Sequence, residues 1–234
     1  MDRSRSSLGH QAPYRARVIA DVAMFFRIGF QFWRGFHFLR NTRRAITVFG
    51  SARTPDDHPY CDLARTVARQ IGDQGIAIVT GGGGAVMQAA NRGAFEAGAP
   101  SIGINITIER EQKANPYLTH SLVCRYFFVR KVLLCRYSEA FLILPGGFGT
   151  LDECFEIITL IQTRKMHPRP VVLIGSEFWG GLLDWCRKTL IPQGMITEAE
   201  FARLHVADTA EEALSYLGIQ GPSNQATSTA TITR

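Results

Sequence analysis

Two short stretches hold the residues whose types and spacing fit chemistry. The first is "LPGGFGTLDE", Leu144 to Glu153. Gly146, Gly147 and Gly149 let the backbone approach a ligand closely. A helix opening near Thr150 or Leu151 turns unpaired N–H groups, and the positive end of its dipole, toward that ligand. A phosphate is the natural guest, and Thr150 adds a hydroxyl donor. Asp152 and Glu153 follow at once. A carboxylate at a helix start can simply complement the dipole. Set against a ribose C1′, it can also stabilise an oxocarbenium-like transition state or orient water. The second stretch is "VRK", Val129 to Lys131. Arg130 there could clamp a phosphate bidentately or position a sugar, with Lys131 beside it.

Two further loops share this character. "TGGGGAVM" (80–87) repeats the glycine-turn-to-helix logic, and "FGSAR" (49–53) follows another apolar run. Gly83 and Ser51 are their candidate contacts. Two glycine-rich turns suggest a nucleotide or sugar phosphate held between them, although tight strand-to-helix turns also use glycine for geometry alone. The chain has no GxGxxG opening a helix after its first strand, no GxxxxGK[ST], no GxSxG and no HExxH. Dinucleotide dehydrogenase, P-loop ATPase, α/β-hydrolase and zincin readings are therefore disfavoured. The five cysteines form no CxxC pair, so neither a zinc site nor a disulfide framework is indicated. A reducing cytoplasm is the simplest setting.

These loops must be positioned by a regular scaffold. "AITVFG", "IAIVT", "SIGINI", "LVCRYFFV", "AFLILP", "PVVLIG" and "LHVA" read as strands, separated by amphipathic helical segments. Short apolar strands without alternation indicate a parallel sheet covered on both faces. The reading is an α/β fold, a Rossmann-like doubly wound parallel sheet over 45–217, plus an N-terminal amphipathic helix. Ligands in such sheets bind beyond the carboxyl ends of the strands, where all three loops fall.

Outside the sheet, residues 1–20 read as a disordered basic leader and 218–234 as a disordered polar tail. Residues 21–44 read as an aromatic helix with Phe25, Ile28, Phe32, Phe36 and Leu39 on one face. Phe26, Phe30 and Trp33 fall outside that stripe, which suits packing against a second subunit. Residues 1–44 hold nine arginines against two aspartates, so this segment carries +7 and the rest of the chain −1. A solvated leader with a packing helix accounts for that charge; contact with an anionic membrane is the sharper alternative, and no nucleic-acid partner is expected.

"PGGFGTLDE" and "VRK" resemble the motif pair of the Lonely Guy (LOG) family. "VFGSAR", "GGGGAVMQAANRGAFEAG", "SIGINI", "EQKANPY" and "LIQT" look like its longer branch, and the likeness covers most of 20–217. The resemblance implies a cytokinin riboside 5′-monophosphate phosphoribohydrolase. Such an enzyme cuts the N-glycosidic bond of AMP or an N6-modified AMP. It implies Arg130 and Glu153 as the catalytic pair. Gly146, Gly147, Gly149, Thr150, Lys131 and Asp152 would surround the phosphate and ribose, with Met87 and Thr159 as pocket-lining candidates. A core methionine and a capped threonine are their plainer readings. No metal or cofactor is called for, and assembly into dimers or hexamers is implied. A non-catalytic phosphate-ligand carrier of related fold is the alternative. The family is also labelled lysine decarboxylase, but no lysine here sits in a context for a pyridoxal Schiff base. One departure stands out. Where the longer branch reads GGGPGIME this chain has "GGGGAVMQ", so Ala85 stands in place of a glycine.

Overall fold

The computed structural model describes residues 14–107 and 113–219. The leader up to residue 13, the first two residues of "EQKANPY" and the tail from residue 220 lie outside the described residues.

Seven strands form one sheet: β1 (Ala45–Phe49), β2 (Ala77–Thr80), β3 (Ser101–Ile106), β4 (His120–Cys124), β5 (Ala140–Ile143), β6 (Val171–Ile174) and β7 (Leu204–Ala207). Every pairing is parallel, in the order β4-β3-β2-β1-β5-β6-β7. The chain winds outward from β1 to β4, returns to the far side of β1, and winds outward again. That reversal between β1 and β5 opens a crevice at their carboxyl ends, and it makes the fold a Rossmann-like doubly wound sheet.

The helices lie in two layers. α1 (Tyr14–Leu39), α4 (Phe127–Arg136), α5 (Phe148–Gln162) and α6 (Ser176–Trp185) cover one face. α2 (Pro59–Gly72), α3 (Val86–Glu96) and α8 (Ala210–Leu217) cover the other. Strand side chains alternate between the two cores: Phe141 and Ile143 join the first, Ala140, Leu142 and Leu144 the second. Both faces are buried, so the strands need no polar alternation, as their sequences show. Two capping boxes, Thr197 with Glu200 and Thr209 with Glu212, start the short α7 (Glu198–Phe201) and α8.

Four local features differ from the sequence reading. "LVCRYFFV" is not one strand: β4 stops at Cys124 and α4 begins at Phe127. Its aromatic and β-branched content favours a strand. Buried Val129 and Leu133, four residues apart, instead set a helix whose Phe127 and Phe128 face outward. α1 begins at Tyr14, within the segment read as leader. Its inner stripe is Ile28, Phe32, Phe36 and Leu39, while Phe25 is 71% exposed, because no residue from 16 to 27 is buried by the sheet. Finally, the helix "FWGGLLDWCRKTL" widens into a π-helical turn over Cys186–Leu190.

Candidate active site

Three loops meet at the carboxyl edge of the sheet, and Ser51 joins them. Its N–H donates to Pro145 O at 3.0 Å, tying the loop after β1 to the loop after β5. Its carbonyl accepts from Val86 N at 3.3 Å, tying both to the start of α3. Its hydroxyl accepts from the N–H groups of Arg53 and Thr54, which shapes its own loop. A Cβ on Gly146 would collide with the Thr150 hydroxyl and lie 3.0 Å from Ser51 N, so only glycine fits there. Gly147 then caps α5 without a side chain, and Thr150 and Leu151 N–H bond back to its carbonyl. The sequence predicts a helix opening near Thr150; it opens at Phe148. A 15-residue helix thus points its first N–H groups out of the crevice beside exposed Gly147, Phe148 and Gly149.

Glu153 lies on the inward face of α5 with Thr150, Cys154 and Ile157, and is 5% exposed. Arg130 comes from the first turn of α4. Its Nη1 lies 3.3 Å from Glu153 Oε1, and its Nε donates to Ile104 O, near the end of β3, at 2.8 Å. Glu153 Oε2 is buried with no hydrogen-bond partner among the described residues. Burial pushes the Glu153 carboxyl up to about 7, against the pull of Arg130 and Lys131. Burial also draws the Arg130 guanidinium below its ordinary value, against the pull of Glu153. Both shifts favour the neutral forms because desolvation exceeds an attraction across 3.3 Å. Arginine still keeps its proton. The pair is therefore a fixed cation beside an acid poised near neutrality.

Gly81, in the loop after β2, holds the guanidinium from the other side. A Cβ there would strike Arg130 Nη2 and approach Met87 Sδ to 2.9 Å. Gly81→Ala is expected to displace the arginine head, since a flexible side-chain tip yields before a backbone does. If Arg130 acts in catalysis, the outcome is a loss of turnover of at least about tenfold with the melting temperature little changed, because a small misplacement of such a group suffices. Steady-state assays and thermal melts check this; unchanged turnover would mean that Gly81 does not position Arg130.

The glycine loop rests on a buried polar network that the sequence reading missed. Thr80 Oγ1 donates to Asn91 Oδ1 at 2.6 Å and accepts from Gly82 N at 2.9 Å. Asn115 Nδ2 donates to Asn91 Oδ1 and to Gly83 O, and Asn105 Nδ2 donates to Gly82 O at 3.3 Å. The available signal was an asparagine inside each of two apolar contexts, "SIGINI" and "ANPY". The same loop holds Ala85 at φ 54°, ψ −125°, a backbone that favours glycine. This is the position where the family's usual spelling has glycine. Ala85→Gly is expected to stabilise the fold by about 1 kcal/mol, the relieved strain exceeding the added flexibility of the unfolded chain. A melting temperature that falls would contradict it.

The remaining candidates lie apart from the acid–arginine pair. Lys131 Nζ bonds Asp152 at 2.8 Å and Glu156 at 3.0 Å, so it is joined to two carboxylates of α5. Burial lowers its pKa, but those two bonds outweigh burial and leave it raised. Thr159 lies two turns beyond Glu153, on the wall of a cavity of about 680 Å³ with Phe155, Ile158 and Leu204, which Arg130 and Glu153 do not line.

Comparison with known proteins adds the following. The family model described as "Possible lysine decarboxylase" matches residues 87–217. A cytokinin riboside 5′-monophosphate phosphoribohydrolase of Rhodococcoides fascians is 30% identical over 181 residues, covering 75% of this chain and 90% of the relative. One from Arabidopsis thaliana is 27% identical over 189 residues, covering 80% and 87%. Among solved structures, a molybdenum cofactor binding protein of Rippkaea orientalis superposes with a TM-score of 0.55 at 20% identity, over 75% of this chain and 96% of that one. The molybdenum cofactor carrier protein of Chlamydomonas reinhardtii gives 0.54 at 22% identity, with the same coverage. At these identities the structural likeness establishes the fold alone.

Proposed function

This chain belongs to the Lonely Guy family, and from that premise we propose that it hydrolyses the N-glycosidic bond of adenosine 5′-monophosphates, N6-modified or plain. Water adds to C1′, the bond to the base breaks, and free base and ribose 5-phosphate leave. The observation that carries this reading is the Arg130–Glu153 pair, buried beside the bare N-terminus of α5. The 5′-phosphate is held by the N–H groups of Gly147, Phe148 and Gly149 and by the Thr150 hydroxyl. Glu153, as carboxylate, faces C1′, stabilises the developing ribosyl cation and orients water. Arg130 holds the sugar and keeps part of the Glu153 population ionised.

A carrier that only binds a phosphate ligand has no use for an unpartnered, buried carboxylate oxygen next to a fixed cation. Chromatography of reactions with AMP, isopentenyl-AMP, GMP, CMP and IMP separates the readings. Base release from the adenine nucleotides is expected. Tight binding in calorimetry with no released base from any of them would favour the carrier.

The same reading places the enzyme in the cytoplasm, where its five buried cysteines stay reduced. It also has copies assembling on the apolar surface next to the site, where Phe127, Phe128, Val132 and Phe155 are exposed. Light scattering on a column reports the mass; a monomer would end that part of the reading.

A further inference from the structure

α1 carries a second apolar stripe that the described residues of the fold do not cover. Its inner stripe, ending at Leu39, packs on the first core. Ile19, Val22, Phe26, Phe30 and Trp33 recur three and four residues apart on a neighbouring face. Ile19 is 70% exposed, Phe26 67% and Trp33 60%. Their rings touch chiefly one another: Phe30 stacks on Trp33 at 5.8 Å, and Trp33 on His37 at 5.6 Å. Two adjacent apolar faces on one surface helix exceed what a single core layer needs.

Charge selects the occupant. Arg27 and Arg34, both exposed, flank the stripe seven residues apart. The only acidic residue of α1 is Asp21, which lies on the side of the inner stripe. In a two-fold pairing of copies along the stripe, each helix would bring these arginines against another helix with no carboxylate there. An anionic lipid surface supplies both missing partners: acyl chains for Phe26, Phe30 and Trp33, and phosphates for the arginines. Among the described residues no helix is long and apolar enough to cross a membrane, so the contact lies in the interfacial plane. We propose that the Ile19–Trp33 face of α1 docks this protein onto the surface of an anionic bilayer.

Co-sedimentation of the full chain with vesicles tests this. One set is phosphatidylcholine alone; the other is equal parts phosphatidylcholine and phosphatidylglycerol. Binding to the anionic set alone is expected. It should weaken with added salt and fall at least about tenfold in Arg27→Gln/Arg34→Gln. Phe26→Ser/Trp33→Ser should also abolish it, and thermal melts of both variants confirm that they fold. Absence of binding to anionic vesicles overturns the proposal. So does a Phe26→Ser/Trp33→Ser variant that changes oligomer mass while leaving vesicle binding intact, which would assign the stripe to a second copy.

Discussion

Glu153→Gln lowers base release from AMP by roughly 10²- to 10⁴-fold if the acid acts at C1′. The substitution keeps shape and volume. It removes the negative charge that opposes the ribosyl cation and the lone pair that takes a proton from water. Because the carboxyl sits near 7, the loss has a pH signature. The ionised form is the working form, so kcat/KM of the native enzyme rises through about pH 7 and levels above it. In Glu153→Gln that limb disappears. Stability runs the opposite way. The folded pKa, about 7, lies above the ordinary 4.5, so the folded protein holds a proton that the unfolded chain releases between those values. The group's favourable contribution is full below about 4.5 and is lost as pH rises to about 7, a change of about 3 kcal/mol. Denaturant titrations at pH 5 and pH 8 should show that loss in the native protein and a smaller one in the variant. Native-like turnover in Glu153→Gln would remove the mechanism altogether.

Arg130→Ala is the second large effect. It removes the cation from a carboxylate that is only 6% exposed at its side chain. Leaving one member of a buried pair alone costs about 3–5 kcal/mol. Here the cost shrinks at low pH, because Glu153 takes up a proton instead. The expected result is a variant without turnover, much less stable than the native protein at pH 8 and close to it at pH 5. Arg130→Ala/Glu153→Gln should recover most of the stability at pH 8 and none of the activity. Full additivity of the two substitutions would show that the residues are not coupled.

The sheet was legible because β1, β2, β3, β5 and β6 are buried on both faces, and such strands read as plain apolar runs. The loops were legible because glycine clusters mark where backbone crowds backbone or ligand. What failed depends on contacts distant in sequence. Phe25 obeys the helical period of the core stripe, yet among the described residues no core element covers it. Phe127 and Phe128 have strand-like chemistry, but the helix is decided by what Val129 and Leu133 meet. Lys131 adjoins Arg130 in sequence, but one residue turns a helix by about 100° and hands its charge to Asp152 and Glu156. Thr159 is displaced from Glu153 for the same rotational reason. The asparagines stand out in sequence, but their connection does not, because the partners come from β2, α3, β3 and the segment before β4.

The two backbone bonds of Ser51 have a consequence for dynamics. Because one residue stitches the loop after β5 to the start of α3, the opening of α5 cannot drift independently of the opposite wall. Under the proposed function the pocket is thereby preorganised, and little reorganisation energy recurs with each turnover. In amide hydrogen exchange, Ser51 and Val86 should open together, in a single event with the loop that carries Pro145.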